Sequence, residues 1–297
     1  LLKALDKYPE SHFTKLPMRI LLTSRGCPYQ CTFCVYPELI WGRKFRAYIP
    51  HRIMEEIQYV VDRFGAKEIY FDDDIFTFSK ERIYKLCELF HKSSLQIVWS
   101  CTSRVDLVDK PLLKAMAKAG CVAIKYEVES SSQEVLNNCK KKLSLDHIKK
   151  AFAWTKESGI KIHATFMFGL PGETLQSMLN TIKLAKELDP YTAQFAIAIP
   201  YPGTRLFSQA RENKWLLTED FSKYDGSNCV MVPPSYSKED LDLAFNARLS
   251  FYLRPKYVIR QFMRAGSLTK FLYLVRSYYP YIMKGIRYTL GAKKILN

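Results

Sequence analysis

Apolar runs and helix-period stretches alternate about six times along the chain. The runs read MRILLTS (18–24), KEIYFDD (67–73), QIVWSCT (96–102), CVAIKYEV (121–128), IKIHATFMF (160–168) and TAQFAIAI (192–199). Several are nearly continuous in apolar residues, which predicts strands covered on both faces, as in a parallel sheet. The intervening stretches carry helix start and stop signals. Pro50 and Gly65 bracket the first, Ser79 opens the second, Asp109 and Gly120 bracket the third, and Ser144 and Gly159 the fourth. The fifth follows Gly172 and stops before Pro190. Repeated strand–helix units imply right-handed crossovers. The predicted fold class is α/β: a partial (β/α)6 TIM-like barrel with its functional residues at the C-terminal strand ends.

After Pro202 the alternation stops. Residues 203–215 read as one more helix, MVPPSYS (231–237) is a break, and Ser237 with acidic residues behind it opens another helix. The expected organisation is a lead-in over 1–17, a core barrel over 18–228 and a helical extension over 229–297. Charge sharpens the last boundary. The formal net charge is +16, and residues 243–297 hold 11 Lys or Arg, 11 aromatics and no Asp or Glu. Such an extension suits a helical cap on the barrel, an anionic membrane surface, or nucleic acid.

With 297 residues, 48% of them apolar and 25% charged, the chain has the composition of a globular protein. No apolar run reaches the roughly 18–20 residues of a membrane span, and no signal peptide is visible. The expected location is cytoplasmic, with peripheral contact at the inner face of the membrane as an extension of that reading. Residue 1 is Leu, which points to a fragment or a processed product.

Of the eight cysteines, Cys87, Cys101, Cys121, Cys139 and Cys229 are scattered, as small buried apolar side chains would be. The other three, Cys27, Cys31 and Cys34, crowd into CPYQCTFC directly after the first predicted strand. Thiolates bind zinc or iron–sulfur clusters. No fourth Cys or His lies nearby at zinc-finger spacing, and His12 and His51 sit in ordinary loop or helix sequence. A loop of three thiolates suits a 4Fe–4S cube with one iron left open. Gly26 and Pro28 favour a tight turn around it.

At this point the residues resemble the radical S-adenosylmethionine (SAM) superfamily, from about residue 16 to residue 255. The resemblance implies that the amino and carboxylate groups of SAM bind the open iron. One electron from the cluster then cleaves SAM to methionine and a 5′-deoxyadenosyl radical, chemistry that belongs to the cofactors. It places Phe33 beside the adenine. Asp72 and Asp73 of FDDD become partners for the ammonium, Arg104 a clamp for the carboxylate, and Glu129 a contact near the ribose. Gly169 of FGLPGET lets backbone approach the ligand, Glu173 is expected to cap the next helix, and Pro200 of PYPGT helps close the pocket. Two positions depart from the family pattern: Ser131 and Glu127 stand where Gly is common.

TSRGCPYQCTFC, FDDDIFTF, GLPGET, PYPGT and FYLRPKYVIRQF together are similar to radical SAM proteins that carry an N-terminal cobalamin-binding domain. Those include methyltransferases and enzymes of lipid and tetrapyrrole biosynthesis. Only about 18 residues precede the first strand, with no Asp-x-His-x-x-Gly loop, so the cobalamin domain either was cut off or is lacking in this member. Cobalamin is thus a cofactor that the resemblance implies without its domain being present here. The expected substrate is a small molecule or lipid, and the expected electron donor a ferredoxin or flavodoxin. RNA modification is the second enzyme reading, although nothing here alternates like the small β-barrel such relatives carry. A zinc-stabilised nucleic-acid-binding module is the non-enzyme alternative, and a fourth ligand would favour it.

Overall fold

The computed structural model describes residues 17–265. Most of the lead-in, and the basic extension beyond Ala265, lie outside the described residues. All six expected strands are present: β1 (Met18–Leu21), β4 (Glu68–Phe71), β5 (Val98–Ser103), β6 (Cys121–Glu129), β7 (Lys161–Phe168) and β8 (Thr192–Ile197). They form one open sheet in the order β1-β4-β5-β6-β7-β8. The first three pairings are parallel, with Met18 opposite Glu68, Glu68 opposite Val98 and Trp99 opposite Cys121. A second, two-stranded sheet pairs β2 (Ser24–Arg25) antiparallel with β3 (Arg46–Ala47).

The helices start where their caps dictate. In α1 (Pro50–Phe64) Pro50 takes the first turn, and Gly65 closes the end at φ 60°. Ser79 accepts the Arg82 N–H at the head of α2 (Lys80–Lys92). Asp109 does the same for Leu112 in α3 (Lys110–Lys118). A short α4 (Gln133–Asn138) follows β6. Ser144 caps α5 (Leu145–Glu157), and Thr174 with Ser177 forms a capping box on α6 (Leu175–Leu188). Thr204 caps α7 (Arg205–Glu212) and Ser237 caps α8 (Lys238–Ala247), before α9 (Leu249–Tyr252) and α10 (Pro255–Ala265).

The chain divides into two compact units. The first comprises 1–128, 140–165 and 192–194, and its core is aromatic. Phe71 stacks on Phe76 at 4.5 Å, Phe90 stacks on Trp99 at 5.7 Å, and the Trp99 indole N–H donates to Ala119 O at 2.7 Å. The second comprises 129–139, 166–191 and 195–297. Phe166, Phe195, Phe251 and Tyr257 pack in sequence there, ring to ring at 4.9–5.7 Å. In this second unit Asp189, at the left-handed end of α6, pairs with Arg254, Lys256 and Arg260 at 3.2, 2.7 and 3.1 Å. Three of the extension's cations therefore fasten α10 to α6. Cys87, Cys101, Cys121 and Cys139 are buried, as expected of isolated cysteines. Among the described residues no helix is long and apolar enough to cross a membrane.

Candidate functional site

The loop that carries the three cysteines is pinched at its base. Pairing of Ser24 with Ala47 and Arg25 with Arg46 closes the chain just before Gly26. Gly26 has φ +89°, and a Cβ there would lie 2.2 Å from Lys44 O, so only glycine fits. Cys27 N–H then donates to Gly42 O at 3.2 Å, and Cys34 N–H to Cys31 O at 3.3 Å. Cys31 is buried, while Cys27 and Cys34 are half-buried. Burial raises the Cys27 thiol and pushes Cys34 up to about 12. Bare thiolates are thus disfavoured, and a metal must displace the protons.

The FDDD run supplies the fastening from the end of β4. Asp73 is buried; its Oδ1 accepts from Thr23 N (2.5 Å) and Ser24 N (3.0 Å), and its Oδ2 from Thr23 Oγ1 and Ser24 Oγ (both 2.7 Å). Arg82, from α2, stands 3.8 Å from the same carboxylate and donates to Thr23 O, Phe76 O and Tyr48 O. The resemblance gives Asp73 to the SAM ammonium; in this structure its oxygens bond to Thr23 and Ser24. Its neighbour Asp74, which the sequence reading did not single out, accepts the Gly26 N–H at 3.2 Å, and burial raises its carboxyl. Asp72 is exposed. Burial raises the Tyr36 hydroxyl first, and Asp72, Asp74, Cys34 and Glu127 raise it further.

Two cations cover the two aromatics of the loop. Arg104 lies 3.7 Å from the Tyr29 ring centre, and Lys141 lies 5.9 Å from that of Phe33. Arg104 is also held by Asp106 through two bonds of 3.0 Å, and its Nη2 donates to Lys141 O at 2.9 Å. The guanidinium that the resemblance gives to the SAM carboxylate is thus paired here with Asp106, the Lys141 carbonyl and the Tyr29 ring. Lys141 in turn pairs with Glu127 at 2.9 Å. In the sequence Lys141 is the middle of three lysines, and nothing there marks it as buried.

Glu129, Gly169 and Pro200 lie in the second unit. Glu129 is buried and non-glycine at φ 70°, a strained backbone of the kind found at working sites. Glu173 does not cap α6, because Thr174 does. Instead its buried carboxyl accepts from Gly169 N (2.7 Å), Leu170 N (3.2 Å) and Ser130 Oγ (3.1 Å). Tyr236 donates to Gly169 O at 2.9 Å, securing the same turn from outside. Pro200 is buried at the end of β8's run.

Burial pushes the Glu173 carboxyl up to about 8, against those three hydrogen bonds. Its folded value thus lies above the unfolded value of about 4.3, so the folded state keeps the proton over that window. The stability it contributes is full at low pH and is lost as pH rises through the folded value. Glu173→Gln, whose amide oxygen can take both N–H groups and whose NH2 can donate to Ser130, should lose that pH dependence. Urea midpoints at about pH 5 and about pH 9 check this. A parent whose midpoint falls no more than the variant's refutes the protonated reading.

A six-stranded parallel α/β sheet with a three-thiol loop after its first strand defines a scaffold for thiol-bound cofactor chemistry. The match with known proteins makes this specific: residues 21–185 fit the model of the radical SAM superfamily. The chain belongs to that superfamily, whose cofactors are a 4Fe–4S cluster and SAM, and the zinc-module alternative falls with this. The chain is 36% identical over 257 residues to an uncharacterised methyltransferase of Pyrococcus horikoshii, covering 86% of this chain and 55% of the relative. It is 27% identical to the anaerobic magnesium-protoporphyrin IX monomethyl ester cyclase of Rubrivivax gelatinosus, covering 84% and 45%. Among solved structures, the cobalamin-dependent SAM radical enzyme OxsB with aqua-cobalamin bound shares the fold, with a TM-score of 0.68 at 18% identity, covering 91% of this chain and 46% of that one. The chain spans about half the length of the curated relatives it matches.

The residues present fit the cluster. The three thiols Cys27, Cys31 and Cys34 are the donor type that such a cluster takes and would be its ligands. Among the described residues no three His, Cys, Asp or Glu side chains converge to grip a single ion, and a cube does not ask them to.

Proposed function

We propose that Cys27, Cys31 and Cys34 hold a 4Fe–4S cluster and that the chain is the radical SAM core of an enzyme that methylates or oxidatively rearranges a small molecule or lipid. The observation that carries the reading is the three-thiol loop clamped at the end of β1 by Asp73 and Arg82. Bound there, the cluster supplies the electron that cleaves SAM to methionine and a 5′-deoxyadenosyl radical. The chain's own work is to hold and shield. The Ser24–Ala47 hairpin fixes the loop's mouth, Arg104 steadies Tyr29, and Lys141 steadies Phe33. Phe33, Asp72 and Asp74 are the first unit's candidates for contact with SAM. Glu129, Gly169 and Pro200 remain the second unit's candidates.

The test is anaerobic reconstitution with iron and sulfide, then dithionite and SAM, with chromatography for 5′-deoxyadenosine. About four irons and four sulfides per chain are expected from one cube, with slow SAM cleavage in the absence of substrate. Stoichiometric zinc in place of iron sinks the reading. Methyltransferases among the relatives favour methyl transfer, and the assay has arms with and without added cobalamin. A ferredoxin or flavodoxin is the proposed physiological donor.

The extension belongs to a second element of the proposal, reversible contact with an anionic membrane surface. Val258, Ile259, Phe262 and Met263 are exposed on α10, an apolar stripe within the cationic segment. Each cation adds about 1 kcal/mol at most near such a surface, so binding should be weak and salt-sensitive. Protein that fails to float with anionic liposomes at low salt ends this part of the proposal.

A further inference from the structure

Lys141 is 1% exposed, yet it sits in the run CKKKL, which would ordinarily be solvated. The backbone on either side is held in the left-handed region without glycine, Lys140 at φ 54° and Lys142 at φ 52°. Such strain persists only where its surroundings over-determine it. Here it turns the middle lysine inward, where Nζ meets Glu127 Oε2 at 2.9 Å and lies 5.9 Å from the centre of the Phe33 ring. Phe33 stands between Cys31 and Cys34. The Lys141 ammonium also holds the Glu127 carboxyl below its usual range.

We propose that Glu127 and Lys141 form a charge pair that sets the reduction potential of the cluster held by Cys27, Cys31 and Cys34. The inference rests on the cysteine assignment above. Reduction adds one electron to the cluster and breaks no bond, so its cost depends on the charges around it. An ammonium beside the cluster favours the reduced form and raises the potential, whereas a carboxylate lowers it. The Lys141 end of the pair is buried, so its field is less screened by salt than that of a surface charge. Arg104 is tied to the same device, since it donates to the Lys141 carbonyl, but Asp106 already balances its charge.

The experiment is an anaerobic dithionite titration of the reconstituted protein without SAM, following the paramagnetic signal of the reduced cluster, for the parent and four variants. Glu127→Gln leaves the ammonium unopposed and should shift the midpoint upward. Lys141→Met leaves the carboxylate unopposed and should shift it downward. The double variant should return towards the parent, and Lys141→Arg should stay near it. Loss of packing alone does not move a potential in opposite directions. The Glu127 side chain is 40% exposed, so Glu127→Gln should fold even if Lys141→Met does not, and its upward shift alone then decides. A parent with full iron whose variants show unshifted or same-sign midpoints overturns this inference alone. A parent that takes up no iron overturns the cysteine assignment and this inference with it.

Discussion

Replacing any one of Cys27, Cys31 or Cys34 with Ala should leave a folded protein that assembles no cluster. A cube with one open iron has three protein thiolates and no spare, and no other described cysteine stands in this loop. Cys87, Cys101, Cys121 and Cys139 are enclosed in their own packing, and Cys229 is in the second unit with its thiol directed to Met231 O at 3.5 Å. Iron should fall from about four per chain to near none after reconstitution, and dithionite-dependent 5′-deoxyadenosine to background. The fold should survive because the loop's shape is held by groups other than the thiols: the Gly26 turn, the Cys27–Gly42 backbone bond and the hairpin. Truncating one thiol to a methyl costs about 1 kcal/mol or less at the half-buried Cys27 and Cys34 and about 1–2 kcal/mol at the buried Cys31. Cys229→Ala is the control and should keep both iron and SAM cleavage. Full iron in two or more of the single loop variants would falsify the assignment.

The strands were legible because burial on both faces leaves a continuous apolar signature, and each of the six runs became a strand of the sheet. The caps were legible because they are local: Ser79, Asp109, Ser144 and Ser237 each accept an N–H three residues ahead. What escaped is what depends on distant partners. The β2–β3 hairpin has two residues per strand, too few for any period to register, and its anchor Asp73 is 49 positions from Ser24. FDDD announces a carboxylate without saying which of the three turns inward. Glu173 has the spacing of a cap, but Thr174 and Ser177 satisfy the helix, which frees Glu173 to be buried beneath the Gly169 turn. The Arg104 partner was in view at Asp106, two residues away. A bidentate guanidinium reads equally well as a ligand clamp until its own neighbours are placed.

Asp73→Ala should disable the site without touching a ligand. Its carboxylate accepts two backbone N–H groups and two hydroxyls from Thr23 and Ser24, and it is the acidic partner of the buried Arg82. Removing it strands those N–H groups away from water and leaves a guanidinium without its counter-charge. Breaking a buried pair from one side costs about 3–5 kcal/mol, a large share of a domain's typical margin of about 5–15 kcal/mol. Asp73→Asn separates the contributions. Its amide oxygen can keep both N–H bonds, and the hydroxyls can rotate to accept from its NH2. The charge opposite Arg82 is still lost, but the two backbone N–H groups stay paired, so the cost should be below that of alanine by about 1–3 kcal/mol, the penalty for leaving such groups unsatisfied. The alanine variant should therefore melt well below the parent and take up little iron, because Thr23 and Ser24 lead directly into Gly26 and Cys27. The asparagine variant should melt between the parent and the alanine variant and take up more iron than the alanine variant. The competing role for Asp73, reading the SAM ammonium, makes the opposite forecast. Both variants would then melt and load iron like the parent and differ only in SAM affinity. Thermal melts of the apo-proteins with iron analysis after reconstitution decide between the two, and an alanine variant with parental melting and full iron removes Asp73 from the framework of the cysteine loop.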